Sequence, residues 1–141
     1  MEIINTKENE LPEISKIFIA EKQKKPYSQK LTKKESLDKL TGFFKKDDMY
    51  TLKIDKIIIG FCVCEKRESK KEIYLSELWI DEKYHGKGYG KQIMNFIENK
   101  YKSKFKTITL VADKNANASK FYEKLGYKVK NVWLKMDKRI R

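Results

Sequence analysis

Apolar residues recur along this chain with two periods, and the switches between them mark out its elements. Glu2 to Asn5 reads as a short strand. Leu11, Ile14 and Phe18 then repeat at helical spacing, with Asn9 as N-cap and Pro12 tolerated in the first turn. Lys22 to Lys30 is polar, holds Pro26, and reads as a loop. Thr32-Lys33-Lys34-Glu35 has the form of a capping box, and Leu37, Leu40 and Phe44 continue as an apolar stripe. Met49 to Ile54 and Lys56 to Glu65 read as two strands joined at Asp55-Lys56. After the charged turn Lys66 to Lys71 comes another strand, Glu72 to Asp81. Ile93, Met94, Ile97 and Tyr101 mark a helix, Thr107 to Ala112 a strand, and Ala116 to Leu125 a helix stopped by Gly126. Tyr127 to Val129 and Val132 to Met136 close the chain as two strands. The order is strand, two helices, three strands, helix, strand, helix, two strands.

With 141 residues and no repeat, linker or low-complexity tract, the chain reads as one domain over residues 1–141. Hydrophobic residues at 40% and aromatics at 12% point to a folded protein. The first residues show no basic and apolar leader, and the longest apolar run, Ile57 to Cys64, is too short to span a bilayer. A soluble, cytoplasmic protein without a membrane partner is expected. The net charge of +13 raises nucleic acid as a partner, but among 33 basic residues only Arg67, Arg139 and Arg141 are arginine. Readers of nucleic acid favour arginine for bidentate contacts. The lysines here are scattered and interleaved with acids, as in Lys66-Arg67-Glu68-Ser69-Lys70-Lys71-Glu72, which reads as a solvated surface. No nucleic-acid partner is expected, although the field would steer a polyanionic ligand. Cys62 and Cys64, with His85 as the single histidine, are too few for a structural zinc site, and free buried thiols are expected.

Candidate chemistry sits where the strand Glu72 to Asp81 gives way to the next helix. There the chain reads Tyr84-His85-Gly86-Lys87-Gly88-Tyr89-Gly90-Lys91. Alternating glycines let the backbone approach a ligand and adopt positive φ without a Cβ penalty. A helix that starts there aims unpaired N–H groups and its positive dipole end at the loop, which suits a phosphate. The spacing is not a Walker A loop, and Ile93 stands where a dinucleotide fingerprint wants a small residue. A tight turn without a ligand is the plain alternative. Further on comes Asn115-Ala116-Asn117-Ala118-Ser119-Lys120-Phe121-Tyr122-Glu123-Lys124-Leu125-Gly126-Tyr127.

Together the two segments resemble the acyl-CoA site of the GNAT N-acetyltransferase family. The family motif Arg/Gln-x-x-Gly-x-Gly/Ala falls on His85 to Gly90, with His85 in place of the usual Arg or Gln. The pattern Asn-x-x-Ala-x-x-hydrophobic-Tyr falls on Asn115, Ala118, Phe121 and Tyr122. The element order matches as well. The resemblance implies a single-domain α/β fold, with a mixed, largely antiparallel sheet of about six to seven strands flanked by four helices. It implies acetyl-CoA as cosubstrate, no metal, an amine acceptor and, as in many relatives, a homodimer.

What the resemblance implies for particular residues follows from the chemistry. Backbone groups of Leu78, Trp79 and Ile80 would take the pantetheine arm almost as an added strand, where the sheet splays open. Amides of Gly86, Lys87, Gly88, Tyr89, Gly90 and Lys91 would hold the pyrophosphate, with the lysine side chains otherwise ordinary surface groups. The Asn115 side chain would meet the pantetheine amides, or cap the helix, or both. Tyr122 would give a proton or hydrogen bond to the departing sulfur, its alternative being a core aromatic. Strand alternation puts Ile73, Leu75, Glu77 and Trp79 on one face, where apolar neighbours would raise the Glu77 pKa and suit it as general base. Its alternative is a structural glutamate. Relatives that acetylate ribosomal-protein N-termini carry a base at the position of Leu110, so this chain departs from that subgroup. The reading is acetyl transfer to a primary amine of a small molecule in a ternary complex. Its rivals are a protein lysine or N-terminal acetyltransferase and a non-catalytic CoA-binding domain. Tyr27, Phe43, Trp79 and Trp133 are candidates to line the acceptor site.

Overall fold

A computed structural model describes residues 1–140 of the chain. They fall into two compact units, Met1–Val111 and the residues from Ala112 onward.

The first unit is built on one five-stranded mixed sheet. Its strands are β1 (Glu2–Asn5), β2 (Asp48–Ile54), β3 (Ile57–Arg67), β4 (Glu72–Ile80) and β5 (Thr107–Leu110). They lie in sequence order, antiparallel except for the parallel pair β4–β5. Asp55 and Lys56 both take positive φ, 49° and 68°, in the two-residue turn between β2 and β3. Such turns match the right-handed twist of a hairpin. Helix α1 (Leu11–Lys22) begins with Pro12 in its first turn. Asn9 lies in a single 3-10 turn before it rather than at the cap, and Glu10 takes the N-cap position. Helix α2 (Lys33–Lys46) has the expected capping box. The Thr32 hydroxyl accepts from the Glu35 N–H at 3.0 Å, and the Glu35 carboxylate accepts from the Thr32 N–H at 3.0 Å.

Each face of the sheet has its own cover. Leu11, Ile14 and Phe18 of α1 and Leu40 of α2 form one core with Met49, Phe61 and Val63. Helix α3 (Tyr89–Tyr101) covers the opposite face, burying Ile93, Met94, Ile97 and Tyr101. The Tyr101 hydroxyl bonds that of Tyr50 at 2.8 Å and donates to the Asp48 carboxylate at 2.5 Å. Burial pushes the Tyr50 phenol up to about 12, and burial also raises that of Tyr101, so both stay protonated donors. Cys62 and Cys64 are buried free thiols, as expected. The Cys64 side chain and burial hold the Cys62 thiol well above its usual pKa.

Ser76 breaks the simple alternation expected of β4. Val63 pairs with Glu77 but Cys64 pairs with Leu75, so Ser76 is an extra residue in a β-bulge. Its hydroxyl donates to the Val63 carbonyl at 3.4 Å. Directly opposed residues share a face, and Val63 and Cys64 point to opposite faces. Ile73 and Leu75 therefore lie on the α3 side, whereas Glu77 and Trp79 lie on the side covered by α1 and α2. The four residues do not share one face.

In the second unit, helix α4 (Asn117–Lys124) is followed by Gly126 at φ 95°, the expected left-handed stop. The expected closing strands are not formed. Residues 127–140 have no regular structure, and Val129, Val132, Trp133, Leu134 and Met136 are exposed. Alternating apolar residues support a strand only where a neighbouring strand satisfies their backbone groups. The sheet accordingly has five strands among the described residues, fewer than the six to seven expected, with the four helices as expected.

Candidate functional site

β4 carries most of the candidate site, and its two edges differ. Along β3 it is paired to its end, with Leu78 opposite Cys62, Trp79 opposite Phe61 and Ile80 opposite Gly60. Along β5 the pairing stops at Leu75 opposite Leu110, one residue before the bulge. From Ser76 to Ile80, β4 thus runs on beyond the parallel ladder. On that side Leu78, Trp79 and Ile80, the residues expected to take a ligand arm, have no strand partner in the sheet among the described residues. The Ile80 carbonyl is already engaged at 2.6 Å by Nε2 of His85. The same imidazole nitrogen lies 3.4 Å from the buried carboxylate of Glu21 on α1, which in turn pairs with Lys24 at 2.5 Å. His85 thereby ties the glycine loop to β4 and α1.

Gly60 brings β3 and β4 unusually close at this point. A Cβ there would press into the Trp79 carbonyl oxygen and lie 3.1 Å from the Ile80 Cα. A glycine inside an otherwise apolar strand is the sequence sign of such a close approach.

In the glycine loop, Gly86 and Gly88 have φ of 73° and 82°, a conformation that favours glycine. Gly88 is the N-cap of α3, and no side chain caps that helix. Its first-turn amides, beginning with Tyr89, Gly90 and Lys91, lack a side-chain acceptor, and Gly90 sits within the helix itself. Lys87 and Lys91 are exposed, and the Lys87 ammonium lies 5.7 Å from the Tyr84 ring centroid. Left-handed glycines, uncapped amides and an open strand edge fit a ligand with a pyrophosphate and an amide-bearing arm.

Glu77 lies among aromatics and cations. The Trp79 indole N–H donates to its carboxylate at 2.5 Å. Burial pushes the Glu77 carboxyl above the ordinary glutamate range, against the opposing pull of that hydrogen bond and of the Lys22 and Lys39 ammoniums. Trp79 packs against Phe18 at 6.2 Å and edge-on to Tyr27 at 5.0 Å between ring centroids. The Lys22 ammonium stands 5.6 Å from the Trp79 ring centroid and 5.5 Å from that of Phe18. A carboxyl whose proton affinity is raised by burial, beside an aromatic platform, is a better proton acceptor for an approaching ammonium than an ordinary glutamate.

The remaining candidates belong to the second unit. Asn115 does not cap α4, whose N-cap is Ala116. Its backbone N–H donates to the Asp113 carboxylate at 2.8 Å. Tyr122 packs edge-on against Phe121 at 5.0 Å and Tyr127 at 5.7 Å. Of the expected acceptor-lining residues, Tyr27 and Trp79 meet, Phe43 packs against the α1–α2 core, and Trp133 is exposed in the irregular segment. Lys22, Lys39, Gly60 and Ser76 were not expected. For Ser76 a signal existed: the aliphatic positions of β4 fall at 73, 75, 78 and 80, and the step of three marks the bulge. A recess of about 170 Å³ lined by Asn5, Thr6, Phe44, Asp47, Asp48 and Met49 includes none of the candidate residues. Among the described residues no cluster of His, Cys, Asp and Glu could hold a metal ion, and no helix is long and apolar enough to cross a membrane.

Residues 11–127 match the model of the acetyltransferase (GNAT) family. No curated protein matches the chain. Among solved structures, a mutant of the BH1408 protein from Bacillus halodurans is 18% identical, with a TM-score of 0.83 over 99% of this chain and 100% of that one. An N-acetyltransferase from Staphylococcus aureus Mu50 is 18% identical, with a TM-score of 0.74 over 90% and 82% of the two chains. An aminoglycoside acetyltransferase from an uncultured soil metagenomic sample is 18% identical, with a TM-score of 0.70 over 99% and 96%. At such identities these likenesses speak for the fold.

Proposed function

The chain belongs to the acetyltransferase (GNAT) family, and from that premise we propose that it transfers the acetyl group of acetyl-CoA to a primary amine of a small molecule. The observation that carries the reading is the β4 bulge at Ser76. Beyond it the strand runs past its β5 partner, and Glu77 lies buried on the face covered by α1 and α2. A donor-binding edge and a candidate base thus share one strand.

In this reading the amides of Gly86 to Lys91 hold the pyrophosphate, and the backbone from Leu78 to Ile80 holds the pantetheine arm. Asn115 offers its side-chain amide to the same arm. Acetyl-CoA supplies the activated acetyl group. Glu77, directly or through a water, takes the proton of the acceptor ammonium and leaves a neutral amine, the form that attacks a thioester carbonyl. Backbone N–H groups of the open β4 edge stabilise the carbonyl oxygen as it gains charge. Tyr122 protonates the departing thiolate. The acetyl group ends on nitrogen as the C–N bond forms and the C–S bond breaks. The ammonium's first proton passes to Glu77 and then to solvent. Its second, shed as the amide forms, restores the proton that Tyr122 gave to the thiolate, so CoA leaves as the thiol. No metal enters the scheme, and a cytoplasmic setting suits the acetyl-CoA requirement.

Thermal melts with acetyl-CoA, and thiol release in the presence of amines, test the assignment. Saturation at about a hundred times Kd should stabilise the fold by roughly 2.7 kcal/mol, and DNA should not. Gly88→Asp puts a side chain and a like charge at the cradle and should abolish the shift while the protein stays folded. Glu77→Gln should keep the shift but lose at least about tenfold in kcat, together with the acid limb of the pH profile. A Gly88→Asp protein with an unchanged shift would refute the cradle.

A further inference from the structure

Lys22 stands near Glu77, its ammonium over the aromatic platform rather than in contact with a carboxylate. Its ammonium lies over the faces of Trp79 and Phe18 and donates to the Gln29 side-chain carbonyl at 3.0 Å. Among the described residues it makes no ion pair, unlike its neighbour Lys24, which pairs with both Glu21 and Glu82. Trp79 connects it to the candidate base, because the indole under the Lys22 ammonium donates its N–H to Glu77. Tyr27 closes on the same indole from the α1–α2 loop. The charge of Lys39 on α2, which also acts on Glu35, and that of Lys22 both favour the charged form of the Glu77 carboxyl. An amine delivered to Glu77 must therefore enter a positive field set by cations on two helices.

That field discriminates among amines. A polycation would bring further ammoniums toward Lys22 and Lys39, against one carboxyl already held by an indole. An amine with a carboxylate or phosphate a few bonds away would instead give Lys22 a contact ion pair and leave its amine for Glu77. We propose, resting on the acetyltransferase reading above, that the acceptor is a small anionic amine whose carboxylate or phosphate is bound by Lys22, with Lys39 as the second cation. Trp79 and Tyr27 then supply the apolar wall along which the connecting carbons lie. Lys22 acts as a binding and specificity residue and takes no part in the proton transfer.

Thiol release from acetyl-CoA would be measured with four amines: an ω-amino carboxylate, an ω-aminoalkyl phosphate of the same length, the uncharged-chain alkylamine, and spermidine. The wild-type kcat/KM should be at least about tenfold higher for one or both anionic amines than for the alkylamine, and lowest for spermidine. The better anionic amine identifies carboxylate or phosphate as the group bound. The advantage should shrink between low and high salt, as a partly exposed ion pair requires. Lys22→Gln should flatten the order through KM, and Lys22→Glu should invert it in favour of spermidine. Both variants should keep the acetyl-CoA thermal shift, which shows that they are folded. Turnover in which spermidine or the alkylamine leads, or an order unmoved by both Lys22 variants, overturns the inference and leaves the acetyltransferase reading intact. Thiol release with none of the amines, despite an acetyl-CoA shift, overturns both.

Discussion

At Glu77 two tendencies oppose each other, and burial wins: the carboxyl is raised although an indole N–H and two ammoniums favour its charged form. Because the folded state holds this proton more tightly than the unfolded chain does, the carboxyl contributes stability at acid pH. That contribution is lost as the pH rises through the raised folded value. Glutamine at 77 can still accept from Trp79 but carries no charge to desolvate. Glu77→Gln should therefore melt above the wild type at neutral pH, each tenfold change in proton affinity being worth about 1.4 kcal/mol. The difference should close below about pH 4, where both forms are neutral. Melting curves across that range check it, and a variant less stable than the wild type at pH 7 would mean that the carboxylate is not desolvated. The stabilised variant is also the one expected to lose turnover, so stability and catalysis pull this residue in opposite directions.

Among the elements, the β3–β4 pair is the most constrained. Gly60→Ala would force a methyl against the Trp79 carbonyl, so β4 must shift where it carries the open edge. The expected cost is about 1–3 kcal/mol in denaturant melts, with a weakened response to acetyl-CoA. An alanine variant as stable as the wild type would show that the strands can part without loss. Much at this scale was legible in the chain. The Thr32–Glu35 capping box announces α2 because the reciprocal bonds are local, and the glycines at 86 and 88 announce their left-handed turns for the same reason. Long-range effects were harder to read. A reading of β4 by simple alternation put Leu75 and Glu77 on one face, since a bulge depends on the partner strand. The segments 127–129 and 132–136 have the pattern of strands, but pattern supplies no hydrogen-bonding neighbour. Asn9 looked like a cap, yet Glu10 accepts from the Lys7 N–H at 2.8 Å and the chain turns one residue later.

Across the whole molecule the lysines act collectively. A net charge of +13 should draw the polyanionic donor in faster than neutral diffusion allows. Stopped-flow association of acetyl-CoA should slow several-fold between about 0.05 and 0.5 M salt, as screening contracts the field, while the dissociation rate changes little. A salt-independent association rate would mean that the surface lysines are only solubilising. The bulge at Ser76 bears on the molecule in another way. Removing that one residue would leave Ile73, Leu75, Leu78 and Ile80 in unbroken alternation, and Glu77 and Trp79 on the side they already occupy. The orientation of the acid is thus written into the order of the other residues, like words that survive the loss of a comma. What Ser76 inserts is the pause after which β4 and β5 part, so a single codon can change where the strands separate without turning Glu77 to the other face.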